Sequence, residues 1–421
     1  MEKIEIQGDK FDCLGNLNKI KVLQIIRNEK EITRSEILQK TRLSAPTVTR
    51  IVESLVQLNL IQTVGIGSSV GGRPPQIIRF NARENYVIGI DIGATFIRAA
   101  LSNLAGEFIF EIHVHTNFKE GFDEVMQQVG DLIEKLNDKA LNKELRLWGI
   151  GIAVSGMINK NSGIVEYSPI FNWKNVNIQE ALSKYTTLNI ALGNVVNLIA
   201  IGEMLYGIGK QYKSFICLNV GYGIGAGIIS DGKLFTGADG IAGEIGHIVL
   251  DRNSKRKGME GVAGTLEALA SGYGIADIAQ KEAPIDVHSI LNKMDSHKID
   301  AKSVFHASRK GDTLANEIVN SVAEYLSLGI DILIKLFNTE CIVISGGVIR
   351  NNEILLEKIR NELKTYSMSA VSRSVSIVSS SFGENAALMG SFSLILEKIL
   401  QLEIQLPDMN NQKGRIHSAT E

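Results

Sequence analysis

The chain has 421 residues, is 44% hydrophobic and 21% charged, and carries a net charge of −2. That length points to two or three folded units, and the composition to a globular protein. There is no apolar run of about 18 residues, residues 1–10 are charged, and Cys13, Cys217 and Cys341 lie far apart; a membrane span, a secretory signal and a disulfide framework are therefore not expected, and a reducing cytoplasm is.

Charge is unevenly spread. Residues 1–80 hold 12 Lys+Arg against 8 Asp+Glu; of the 44 and 46 in the whole chain this leaves 32 against 38 for the remainder. A basic head on an acidic body suits a nucleic-acid-binding module joined to another unit. Leu17, Ile20, Leu23 and Ile26 recur at helical spacing and predict a first helix over residues 16–28. Thr33 and Glu36 form a T-x-x-E capping box that opens a short helix through Lys40. A tight turn at 41–43 follows. Ser44 can cap a third helix with Pro46 in its first turn, buried through Val48, Ile51, Val52 and Leu55. The opposite face presents Ser44, Ala45, Thr47, Thr49 and Arg50. Small hydroxylated residues there can approach base edges, and Arg50 can reach a phosphate or a guanine. Strands at 60–64 and 76–80, joined by the glycine-rich loop 65–75, make a wing with Arg73 at its tip, where it could enter a minor groove. Residues 1–82 therefore read as a winged helix-turn-helix.

In residues 83–400 three glycine turns each follow a strand. The first, D-I-G-A-T at 91–95, joins strands at 86–91 and 96–101; an aspartate at such a turn can hold a metal-bound phosphate beside backbone N–H groups. The second lies within NVGYGIGAGII at 219–229, and the third, SGGV at 345–348, follows the strand at 341–344. Three such turns across about 260 residues suggest two α/β lobes with a nucleotide cleft between them. His113 and His115 alternate on a strand and read as structural, since two histidines do not complete a metal site.

On these residues the chain resembles the ROK family (repressors, open reading frames and sugar kinases), and within it the xylose-repressor-like regulators. The resemblance covers nearly the whole chain and rests on DIGATFIRAAL (91–101), GIAVSGMI (151–158), GNVVN (193–197), GYGIGAGII (221–229), AGEIGH (242–247), GTLEALASG (264–272) and SGGVI (345–349). It implies an actin/hexokinase-like body, with lobe one at about 83–195 plus a C-terminal helix at 384–400 and lobe two at about 196–383; residues 401–421, polar in their own right, read as a frayed tail. It also implies sugar contacts at Asn194, Glu244, His247 and Glu267, with Ser155, Gly156 and Asn172 lining the pocket. Asp91, Gly93, Thr95, Gly221, Gly223 and Gly346 become a vestigial nucleotide site. Paired amides and carboxylates suit a ligand rich in hydroxyls, and Glu244 and His247, three apart, fit one side of a helical turn.

The chain departs from the family's kinases in two places. They carry a general base one residue after the position of Asn194, where this chain has Val195; a positioned base is worth roughly 10²–10⁴-fold in rate, and valine cannot accept a proton. Their second phosphate loop has a small hydroxyl residue where this chain has Tyr222. Many family members also bind zinc through a histidine and three cysteines. His247 matches the histidine, but Gly258, Glu260 and Thr265 stand at the cysteine positions, so no metal and no other cofactor is expected.

The leading expectation is a non-enzymatic, sugar-responsive repressor that binds palindromic double-stranded operator DNA as a homodimer, with xylose as the first candidate effector. The alternatives are an active ATP-dependent sugar kinase with a DNA-binding head, and a constitutive DNA-binding protein whose body only dimerises.

Overall fold

A computed structural model describes residues 9–66, 74–159, 162–350, 352–366 and 375–401. The head comprises α1 (Asp9–Asn28), β1 (Ile32–Thr33), α2 (Arg34–Thr41), α3 (Ala45–Gln57), β2 (Ile61–Ile66) and β3 (Gln76–Phe80). The T-x-x-E signal forms a reciprocal capping box: the Thr33 side chain accepts the Glu36 N–H, and the Glu36 carboxylate accepts the Thr33 N–H at 2.7 Å. Arg42 ends α2 in the left-handed region with φ 58°, and Ser44 caps α3 by accepting the Thr47 N–H. Val48, Ile51, Val52 and Leu55 of α3 are buried against Val22, Leu23 and Ile26 of α1 and Ile37 of α2.

Three features differ from the sequence expectation. α1 begins at Asp9, and Leu17 is 60% exposed, because the head's core does not reach that turn. β2 runs on to Ile66, since a bulge between Thr63 and Gly65 keeps it paired with β3. β1 pairs with β3 as a third strand, and two residues are too short to leave a periodic pattern. Arg73 and the tail beyond residue 401 lie outside the described residues.

The body is one architecture built twice. The first repeat contains β4 (Tyr86–Ile92), β5 (Phe96–Asn103), β6 (Phe108–His115), α4 (Phe122–Asn142), β7 (Leu147–Val154), β8 (Met157–Ile158), β9 (Val165–Ser168), β10 (Trp173–Val176), α5 (Ile178–Leu182), β11 (Ile190–Asn194) and α6 (Val195–Tyr206). The second contains β12 (Phe215–Val220), β13 (Ile224–Ser230), β14 (Lys233–Phe235), α7 (Leu266–Ala270), α8 (Gly272–Glu282), α9 (Ala301–Arg309), α10 (Thr313–Phe337), β15 (Cys341–Ser345), α11 (Glu353–Tyr366), β16 (Ser376–Ser379) and α12 (Ala386–Leu400). The sheets run β6-β5-β4-β7-β11 and β14-β13-β12-β15-β16. In each, an antiparallel three-strand meander is extended by two parallel strands, whose crossovers carry helices.

The last helix of each repeat is exchanged. α6 packs on β12 and β13 of the second sheet, and α12 packs on β4 and β7 of the first. Glycines permit this close stacking. A Cβ at Gly202 of α6 would lie 2.9 Å from the Gly390 nitrogen of α12. One at Gly151 of β7 would collide with the Ser391 carbonyl, and one at Gly227 of β13 with the Val196 carbonyl. Sheet, helix, helix and sheet are thus nearly in backbone contact. Leu388, Phe392, Ile395 and Ile399 of α12 are fully buried, each burial contributing roughly 1.5–3 kcal/mol. They belong to the same apolar cluster as Val22, Leu23 and Ile26 of the head. Among the described residues no helix is long and apolar enough to cross a membrane.

Candidate functional site

Two surfaces collect the residues singled out from the sequence. On the head, Ser44, Ala45 and Arg50 are exposed at the start and on the outer face of α3, while Thr47 and Thr49 are half-buried. The Ser44 hydroxyl lies 2.8 Å from that of Thr47, so it serves the helix cap and remains at the surface.

On the body, a cavity of about 1040 Å³ opens between the repeats and is lined by all three glycine turns. Asp91, Gly93, Thr95, Gly221, Gly223 and Gly346 all face it. The first turn is closed by the Gly93 N–H donating to the Phe96 carbonyl at 3.1 Å. Gly346, with φ 100°, packs against Val220 so tightly that a Cβ would clash with its backbone. Tyr222 lies at the lip, 38% exposed and edge-on to Tyr273.

Ser155, Gly156, Asn194, Glu244, His247 and Glu267 line the same cavity. Asn194 caps α6: its side-chain oxygen accepts the Val196 N–H at 3.0 Å, and its amide donates to the Gly156 carbonyl at 2.9 Å. Glu244 and His247 share one short helical turn, with Nε2 3.6 Å from the Glu244 carboxylate; Nδ1 lies 3.5 Å from Glu260. Burial raises the carboxyl pKa of both Glu244 and Glu267, and His247 opposes each shift. Gly223 belongs to this site as well, because a Cβ there would lie 2.7 Å from the Glu267 carboxylate. Val195, beside Asn194, also faces the cavity.

Asn172, expected in the pocket, does not line this cleft. It sits before β10 at φ 53° and lines a separate recess of about 440 Å³. Phe171 stacks on Trp173 at 4.5 Å, and Trp173 meets Phe122 edge-on at 5.1 Å; these contacts turn the 171–173 segment into its own lobe. Pro169 and Ile170 face the cleft instead.

The cleft also holds charges beyond those the sequence singled out, at Arg98, Arg350 and Glu384. Asp91 is nearly buried, and burial pushes its pKa up to about 6, with Arg98 pulling in the opposite direction. Arg98 of β5 lies 3.9 Å from Asp91 and 2.8 Å from Glu384, which also pairs with Arg350 of the second repeat. Arg98 and Glu384 are 286 positions apart, so no local pattern could have paired them.

The loop that would carry zinc is held without thiolates. Gly258 leaves room beside the Thr265 hydroxyl and Glu267, with a Cβ there 3.2 and 3.3 Å from them. The Gly258 N–H donates to the Val262 carbonyl, and the Leu250 and Asp251 N–H groups to Gly264. Among the described residues no three His, Cys, Asp or Glu side chains are arranged to hold a metal, and His247 with two carboxylates does not fit a thiolate-rich tetrahedral zinc site.

Residues 87–398 match the ROK family. The chain belongs to the ROK family. Residues 16–62 match a winged helix-turn-helix DNA-binding family, so the fold is a winged helix-turn-helix joined to an actin/hexokinase-like ROK body. A xylose repressor of Caldicellulosiruptor bescii is 31% identical over 92% of this chain and 97% of its own length. A glucokinase of Thermotoga maritima is 32% identical over 74% of this chain, covering 98% of that enzyme. Among solved structures, a ROK family transcriptional regulator described as a homolog of the E. coli MLC protein superposes with a TM-score of 0.78 at 26% identity, over 92% of this chain and 97% of that one. The match to the repressor takes in the head; the match to the kinase spans about the length of the body alone.

Proposed function

We propose that this ROK protein is a cytoplasmic, sugar-responsive repressor of carbohydrate-utilisation genes. The head grips double-stranded operator DNA, two chains pairing to meet a palindromic site. The cleft binds a sugar through Asn194, Glu244, His247 and Glu267, with Ser155 and Gly156 beside them, and xylose is the first candidate from the name of the repressor relative. Binding changes lobe geometry and with it the setting of the heads.

The observation that carries this reading is the juxtaposition of Asn194 with Val195 in a cleft joined to a DNA-binding head. The sugar-binding side chains remain, while the position of the base is apolar. Tyr222 adds bulk at the second glycine turn. The body therefore senses a sugar and does not phosphorylate it.

The test combines calorimetry against xylose, glucose and N-acetylglucosamine with an ATP-consumption assay on the same sugars. One sugar should bind, and ADP release should stay at the level of a protein-free control. Glu244→Gln should weaken that sugar by roughly 1.5–3 kcal/mol, the worth of a hydrogen bond to a charged group, and leave ligand-free operator binding intact. Sugar-dependent ADP release at an enzyme-like rate would make the chain a kinase. Unaltered sugar affinity in Glu244→Gln would remove that residue from the site.

A further inference from the structure

The cleft and the head lie at opposite ends of one helix. At its N-terminal end Asn194 caps α6 and holds the Gly156 carbonyl, and Val195, Val196 and Ile199 form part of the cleft wall. The helix has 12 residues, about 18 Å at 1.5 Å per residue. At its far end the Tyr206 hydroxyl donates to the Leu104 carbonyl at 3.3 Å. The Leu104 N–H in turn donates to the carbonyls of Ala82 and Asn85, both at 2.9 Å, in the segment that joins head to body. Asn85 is buried: its amide donates to the Asn59 carbonyl just after α3, and its oxygen accepts from the Trp148 indole at 2.6 Å. The Tyr206 ring packs against the cluster that contains Leu23 and Ile26 of α1.

Between these ends α6 has little freedom to bend. Gly202 abuts Gly390 of α12 backbone to backbone. The fully buried Glu203 carboxylate accepts from the Ser380 hydroxyl and the Ser381 N–H at 2.7 Å, from the Ser381 hydroxyl at 2.8 Å and from the Ile208 N–H at 3.1 Å. It thereby ties the end of α6 to the strand-to-helix segment that leads into α12. An element packed at backbone distance on both sides moves as a unit or not at all.

We propose that α6 carries the state of the cleft to the DNA-binding head, and that the Tyr206 hydroxyl on the Leu104 carbonyl is the point of delivery. A ligand that repositions Asn194 shifts α6 along or about its axis. Tyr206 then moves Leu104, and with it the 82–85 segment and Asn59 at the base of the reading helix. This rests on the reading of the cleft as the effector site. Burial pushes the Tyr206 pKa up to about 12, so the hydroxyl stays a donor throughout the neutral range. Coupling of this kind typically changes affinity at the second site by about 5–150-fold.

The test uses the full chain and an operator selected by that chain from random duplexes, with xylose as the first probe and glucose and N-acetylglucosamine after it. Tyr206→Phe keeps the ring and removes only the hydroxyl. Sugar affinity, melting temperature and ligand-free operator affinity should each remain near wild type, the affinities within about twofold. The change in operator affinity that the sugar produces should shrink at least about fivefold, towards the lower bound of ordinary coupling. In the wild type, the sugar should also alter hydrogen exchange at the Leu104 amide. An intact sugar response in Tyr206→Phe overturns the proposal alone, as does unchanged exchange at Leu104. Absence of any sugar binding by the wild type is read before the variant is used, and overturns the functional reading with it.

Discussion

In the head, Ser44, Ala45 and Arg50 stand exposed on a helix whose other face is packed with Val48, Ile51, Val52 and Leu55. In the body, Asp91 and Glu267 are almost wholly buried in the wall of a cleft assembled from segments as far apart in sequence as β5 and Glu384. Ser44 apart, which also caps α3, the head places its core residues and its proposed reading residues on opposite faces of one helix. The body has no such separation, because groups that face the cleft, Arg98, Glu384 and Arg350 among them, also hold the repeats together. A change at Arg50, on that outer face and outside the cap, should thus cost function alone, whereas changes in the cleft should alter stability as well.

The largest expected effect is at Asp91. Its raised pKa means that between about pH 4 and pH 6 the native state keeps a proton that the unfolded chain has released. Its contribution to stability therefore falls as pH rises through that window. Asp91→Asn removes the titration, and should make the protein more stable than wild type at pH 7, by at most about 3 kcal/mol for two pKa units at 1.36 kcal/mol each. The gain should fade toward pH 4, where the wild-type carboxyl is also neutral. Urea melts at the two pH values check it; a gain larger at pH 4 than at pH 7 reverses the assignment.

Arg50→Ala sharpens the other side of the contrast. It should weaken operator binding by about 1–3 kcal/mol and relax specificity at one base pair if the guanidinium reads a base. The melting temperature should stay unchanged. A mobility-shift titration with wild-type affinity would remove Arg50 from the interface, and a lowered melting temperature would break the separation of faces drawn above.

The smallest expected effect is none. A chelator should leave the melting temperature unaltered, and elemental analysis should find no stoichiometric zinc, because Gly258, Glu260 and Thr265 supply no thiolate. About one zinc per chain would show that His247 has ligands other than Glu244 and Glu260.

The same contrast explains how much could be read from the sequence. The head's signals are local: Thr33 caps Glu36 three residues away, and Ser44 sits next to the helix it begins. The glycine turns of the body are local too, and each was legible after its strand. Long-range features were not. Nothing near Glu384 announces Arg98, and nothing near Gly202 announces Gly390. The exchange of α6 and α12 is no local signal either; only the family resemblance assigns the helix at 384–400 to lobe one and residues from 196 to lobe two. Asn172 departs from the resemblance for a related reason: it sits between Phe171 and Trp173, whose stacking is a packing choice that a motif match does not encode.

The exchanged helix has a consequence for synthesis. β4 and β7 lie near the start of the body, yet the helix that covers them, α12, ends at Leu400. Until that stretch leaves the ribosome, one face of the first sheet has no partner, and Gly89 and Gly151, shaped to receive Ser391 and Phe392, face an empty groove. The head can form its local helices early, since the contacts among α1, α2, α3 and the wing are short in sequence, although the outer side of α1 also waits for α12. The first lobe is completed only when nearly the whole body has been translated. A truncated product can therefore carry the local helices of the head without a finished body, and it exposes the apolar surface that α12 would have covered.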